Sequence, residues 1–181
     1  AIYFDSRCTP AYLKYADIYK SANAGLAIEK LNQLKTLEPS NTAIDKKLAE
    51  IYYLKNDFSK AADAYSRFAM GPTANEEDLV KYAFALFLNH DFAKSLEVAN
   101  MGLKKNPRHA AFNRLAMYNN TDLKRFEEAL KAADVFFNEC DKADYSYLDY
   151  MYYGHLLEEL KKYDEAVGQY EKAVELDPTK T

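Results

Sequence analysis

The side chains best suited to acid–base, nucleophilic or metal chemistry are few in this chain and widely separated. Its three histidines are His90, His109 and His155, and its two cysteines are Cys8 and Cys140. None falls in an H-E-x-x-H, C-x-x-C or G-x-S-x-G pattern, so neither a zinc-ligand set nor an activated nucleophile is spelled out. Gly25, Gly71, Gly102, Gly154 and Gly168 are isolated, and no glycine-rich run could cradle a phosphate. The acidic groups Glu76-Glu77-Asp78, Glu127-Glu128 and Glu158-Glu159 could attract a cation. For the first two, the plainer reading is favourable charge at helix N-termini, where the helix dipole is positive. Asn119-Asn120-Thr121 has the form of a glycosylation sequon, relevant only to a secreted eukaryotic chain. Neither catalysis, a metal nor a cofactor is expected.

The elements carrying these residues are helical. Leu79, Tyr82, Ala83, Leu86 and Phe87 recur with the spacing of one helix face, and Asn89-His90-Asp91 then breaks the pattern. Phe92, Leu96, Ala99 and Leu103 form a second face, which Pro107 ends by removing a donor and crowding the turn before it. No stretch alternates with the period of two that a strand requires, so the chain reads as all-α.

The same order of residues recurs downstream. Tyr150, Tyr153, Gly154 and Leu157 are followed by Ala166, Tyr170, Ala173 and Pro178, at a period of about 34 residues. With 49% hydrophobic and 29% charged residues among 181, the chain has a soluble globular profile and can bury a sizeable core. A net charge of −4 leaves no basic excess to displace counterions from a phosphate backbone, so nucleic acid is not an expected partner. No apolar run reaches the length of a membrane span. Cys8 and Cys140 fall in different repeats and no disulfide is expected between them. The absence of an initiating Met suggests a processed segment or a piece of a longer protein, with any targeting sequence lost and the compartment unassigned.

These residues resemble the tetratricopeptide repeat. The best copy is residues 147–180, with Tyr150 where the family most often has Trp. Further copies fit residues 9–41, 42–75 and 76–109, and residues 1–8 read as the tail of a preceding helix. The copy at 110–146 is irregular: it asks for one extra residue in its turn, near Asn119 to Lys124, and about three more before Tyr147. The resemblance implies a right-handed α-solenoid of helix-turn-helix repeats. Ala16, Ala49, Ala83, Ala116 and Gly154 would then sit where the two helices of a repeat cross, with Ala27, Ala61, Ala129 and Ala166 opposite. Gly154→Leu or Ala166→Leu should overpack that crossing.

The resemblance also implies a function: a non-catalytic scaffold binding a protein or peptide partner in the groove lined by first helices. On that face fall Leu13 and Asp17, Lys46 and Glu50, Val80 and Phe84, Asn113 and Met117, and Met151 and His155. Tyr53 and Phe87 lie one turn further along. Phe84, Phe87, Met117 and Met151 together exceed what a solvated face needs, which points to a guest with apolar anchors. The subclass that clamps a chaperone C-terminal carboxylate fits poorly: Lys46 and Arg114 are in frame, but Glu50, Lys81 and Ala110 replace the expected Asn, Asn and Lys. Two other readings remain open. The segment could associate end to end through Val167, Val174 and Leu176, or through Ile2, Tyr3 and Phe4, as part of a larger assembly. It could also be a regulatory part of a longer enzyme.

Overall fold

The structure, a computed structural model, describes residues 8–140 and 144–179. The described residues form ten α-helices and no strand. The readings placed on residues 1–7, including the apolar Ile2, Tyr3 and Phe4, lie outside the described residues, as does Lys180. The chain divides into two compact units, Ala1–Asn89 and His90–Thr181.

The first unit holds α1 (Thr9–Tyr19), α2 (Ala24–Leu37), α3 (Thr42–Leu54), α4 (Phe58–Phe68) and α5 (Glu76–Leu88). Short polar side chains open four of them. Asn23, Asn41, Asp57 and Asn75 each accept a hydrogen bond from a backbone N–H of the helix they precede. At α5, Asn75 and Asp78 cap reciprocally, and Glu76 and Glu77 share the first turn, so this acidic run serves the helix start. Ala16, Ala27, Ala49 and Ala61 are buried, consistent with backbones that approach closely where helices cross. Tyr12, Leu31, Ile44, Tyr65, Phe68 and Tyr82 fill the space around them.

The second unit holds α6 (Phe92–Lys105), α7 (Ala110–Asp122), α8 (Phe126–Asn138), α9 (Tyr147–Glu159) and α10 (Tyr163–Leu176). Two glycines here are set by close approach. A Cβ on Gly102 would run into the Phe112 ring, and one on Gly154 would lie 2.5 Å from that of Tyr170. Asn56, His90, Lys124 and Lys161 all have left-handed φ, from 57° to 61°. Each stands two residues before a second helix, at Phe58, Phe92, Phe126 and Tyr163. His90 is therefore a turn residue.

That regularity corrects the expected irregularity of the fourth repeat. First and second helices begin the same interval apart at Thr42 and Phe58, Glu76 and Phe92, Ala110 and Phe126, and Tyr147 and Tyr163. No extra residue lies in the α7–α8 turn. All of the added length falls between α8 and α9, after Asn138. The expected register of α7 is consequently wrong by one residue. Met117, not Ala116, occupies the position of Ala49, Ala83 and Gly154, and it is fully buried. Asn113, 4% exposed, turns inward with it; its carboxamide donates to the Pro107 and His109 carbonyls at 2.9 and 3.2 Å. Neither residue lines a groove face, because a slip of one residue rotates a helix by about 100°.

Candidate functional site

Four of the predicted groove residues meet in the first unit. Glu50 and Tyr53 of α3 and Val80 and Phe84 of α5 line a cleft of about 540 Å³, together with Lys20, Lys47, Leu54, Tyr65 and Lys81. Val80 and Phe84 are half-buried, as Tyr53 is. Tyr53 meets Phe58 edge-on at 5.5 Å, and burial pushes its phenol pKa up. Tyr65 at the base is almost fully buried, and desolvation raises its pKa as well. The polar side is an ion-pair chain: Lys47 contacts Asp17 at 2.8 Å and Glu50 at 3.2 Å. Burial works to raise the Asp17 pKa, but the Lys47 hydrogen bond and charge outweigh it and hold that carboxyl low. Burial likewise opposes the charged form of Lys47, and its two carboxylate partners prevail. Lys81 pairs with Glu77 at 2.7 Å. The cleft is thus a half-apolar trough with neutralised charges along one side.

Lys46 does not join it. Its ammonium lies 2.7 Å from the buried Asp78 carboxylate and 4.9 Å from the Phe68 ring centre. Phe87 is half-buried outside the cleft lining.

In the second unit the corrected register puts Arg114 and Tyr118 where α3 has Lys46 and Glu50. The repeat pattern does not mark Tyr118 as a groove residue, and it reaches Arg114 only as an in-frame position of the poorly fitting carboxylate clamp. Arg114 meets the buried Asp149 carboxylate through Nε at 2.7 Å and Nη2 at 3.0 Å, and donates from Nη2 to the Asp144 carbonyl. Its guanidinium lies 5.1 Å from the Phe136 ring centre. The Tyr118 hydroxyl donates to Asp149 at 2.7 Å, and the Ser146 N–H and hydroxyl complete its shell at 2.7 and 2.9 Å. Lys46, Phe68 and Asp78 therefore have counterparts in Arg114, Phe136 and Asp149. The signal available in the sequence was an Asp near the start of a first helix behind an Asn or Ser cap.

Met151, 38% exposed, and His155 stand on the exposed face of α9. His109 precedes α7, with its ring 4.5 Å from Phe112 and its buried Nδ1 unpartnered among the described residues. Asn119 is fully buried and donates to the Ser95 hydroxyl at 2.8 Å, so the sequon is closed to glycan attachment in the folded chain. Glu158 accepts a hydrogen bond from the Tyr170 hydroxyl at 2.9 Å. Among the described residues no group of three or more His, Cys, Asp or Glu is arranged to hold a metal ion. No helix among them is long and apolar enough to cross a membrane.

Paired helices with small residues at their crossings and a fixed turn define a helical-repeat protein. Residues 147–180 match the tetratricopeptide repeat family, and the chain has the all-α fold of tetratricopeptide-repeat proteins. The fold is shared with YrrB, a TPR protein described as having an unusual peptide-binding site, at a TM-score of 0.78 and 14% identity. That match covers 99% of this chain and 91% of the other. MamA is similar at a TM-score of 0.76 and 17% identity, over 97% and 95% of the two chains. PilF of Pseudomonas aeruginosa is similar at a TM-score of 0.71 and 13% identity, over 98% and 80%. No curated protein matches the chain in sequence. The tetratricopeptide fold is generally a scaffold for protein–protein interaction, and its members bind proteins or peptides.

Proposed function

We propose that the protein is a non-catalytic scaffold whose first unit binds an extended or helical peptide in the cleft between α3 and α5. The observation that carries this reading is the convergence of Tyr53, Val80 and Phe84 on one trough of about 540 Å³. Half-buried aromatic side chains beside satisfied charges provide an anchor pocket with a polar rim, the arrangement that concentrates binding energy. Peptides selected by display against the whole chain provide the test. Calorimetry with a selected peptide should show Phe84→Ala and Tyr53→Ala each weakening binding about tenfold, or about 1.4 kcal/mol. Selected peptides that bind both variants unchanged would remove the cleft as the site.

A second reading rests on α10. Tyr163, Val167 and Val174 are 60%, 55% and 44% exposed. Ala62 of α4, Ala69 just beyond its end and Leu96 of α6, at corresponding positions, are buried where α4 packs on α5 and α6 on α7. An apolar stripe of this kind supports end-to-end association. Light scattering should then show concentration-dependent dimers that Val167→Glu dissolves; a monomer at all concentrations overturns the idea.

A further inference from the structure

Tyr65 and Tyr170 hold the same place in their repeats, each seven residues after the start of its second helix, at Phe58 and Tyr163. Their hydroxyls fare differently. That of Tyr170 donates to the Glu158 carboxylate at 2.9 Å. Glu158 lies on the first helix of that repeat, α9, and its counterpart on α3 is Tyr53, which offers no carboxylate. The Tyr65 hydroxyl accordingly has no hydrogen-bond partner among the described residues. Tyr65 is only 1% exposed, but its hydroxyl is not sealed from solvent, and the residue lines the cleft between α3 and α5. The tip of the ring is therefore the part that meets the cleft.

The rest of the lining has the same bias. Lys20, Lys47 and Lys81 bring three ammonium groups against one carboxylate, Glu50, which Lys47 already engages at 3.2 Å. The other carboxylates these lysines meet, Asp17 and Glu77, are not part of the lining. The Lys81 and Glu77 side chains are 39% and 71% exposed, and Lys20 reaches Asp17 only at 3.6 Å. Pairs this open contribute little and leave ammonium hydrogens for a further acceptor. Desolvation, then the Glu50 and Asp78 charges, raise the Tyr65 pKa, so the phenol stays protonated and remains a donor. Donors thus outnumber acceptors beside the apolar Val80 and Phe84. A carboxylate satisfies them, a carboxamide turns donors of its own toward the same ammoniums, and an ammonium is repelled. Lys46, the position of the chaperone clamp, is committed to Asp78 and takes no part.

We propose that the cleft takes a peptide with an aspartate or glutamate next to its apolar anchor, the Tyr65 hydroxyl donating to that carboxylate as Tyr170 does to Glu158. This rests on the reading of the cleft as a peptide site, and the probes separate the two. They are N-acetyl-Phe-Glu-amide and its glutamine and lysine counterparts, titrated into the 15N-labelled full chain. The glutamate compound should shift the backbone amides of Tyr53, Val80 and Phe84 saturably, with a dissociation constant on the order of millimolar. The glutamine compound should bind about tenfold more weakly, a difference of about 1.4 kcal/mol, and the lysine compound more weakly still. Raised salt should weaken the glutamate compound and leave the glutamine compound unchanged. Tyr65→Phe removes a hydroxyl that has no partner in the folded chain. The melting temperature should therefore hold, while the preference for glutamate over glutamine falls at least about threefold. Lys81→Gln is a second variant and should lower the same preference. Equal shifts at the cleft from all three compounds, or a preference unchanged by Tyr65→Phe, overturn this inference and leave the cleft as a peptide site. No shift at Tyr53, Val80 and Phe84 with any compound overturns both.

Discussion

The two units contain the same three-residue device and use it differently. In the first, Lys46 joins Asp78 and lies over Phe68; in the second, Arg114 joins Asp149 and lies over Phe136. The difference lies at the next position along the helix. There α3 carries Glu50, which turns to Lys47 and the cleft. In α7 the residue is Tyr118, which is buried, stacks on Tyr152 at 4.0 Å and donates to Asp149. The second unit thus closes its cation–carboxylate pair beneath an aromatic lid, whereas the first leaves space beside it. A planar guanidinium also holds a carboxylate at two points, which an ammonium cannot do. One inter-repeat contact can therefore seal a helix face or leave it available, depending on a single neighbouring side chain.

The most severe test of this contrast is Asp149→Ala. Leaving Arg114 and Tyr118 without their shared acceptor should cost about 3–5 kcal/mol in urea unfolding. Asp78→Ala, which removes fewer partners, should cost distinctly less; equal losses would erase the distinction between the units. Next comes Gly154→Leu, which drives a side chain into the Tyr170 ring and should cost about 1–3 kcal/mol. A melt showing no loss would remove the close-crossing assignment. Tyr118→Phe, which deletes one hydrogen bond to a buried carboxylate, should cost about 1.5–3 kcal/mol. Glu50→Gln at the matching position should fall within about 0.5 kcal/mol of the parent.

The smallest effects concern pH and have opposite signs. Asp17 has a lowered pKa, so its ionised form adds stability above the unfolded pKa, and this is lost as pH falls through the folded one. For Asp122 burial raises the pKa despite the Tyr152 hydrogen bond and the nearby His155 and His90. Its ionised form is therefore disfavoured by folding, and stability falls as pH rises from the unfolded to the folded pKa. Asp17→Asn should lower the melting temperature slightly at neutral pH and Asp122→Asn should raise it, both differences vanishing in acid. Matching signs would show that these side chains do not sense the environments described.

Much of the fold follows from residue types alone. The helix periods, the turn at Asn89-His90-Asp91, and the small residues at Ala49, Ala83 and Gly154 are local signals that act within one repeat. They suffice to identify paired helices, because each helix needs an apolar stripe and each crossing needs a small side chain. The meeting of Tyr53, Val80 and Phe84 was also accessible, since all three fall on the groove side expected of successive first helices.

The register of α7 was not accessible. Phe112, Leu115 and Ala116 imitate the pattern of a first helix one residue out of step, and a local pattern carries no information on which apolar side wins. Packing decides it: with the turn fixed at Lys124 and Gly102 admitting the Phe112 ring, Met117 must go inward. The same tertiary choice buries Asn113 and directs Arg114 and Tyr118 to Asp149. The sequence by itself determined the repeating unit, because its signals act within one repeat. Tertiary structure decided which helix faces remain open, because that depends on side chains brought together across turns and repeat boundaries.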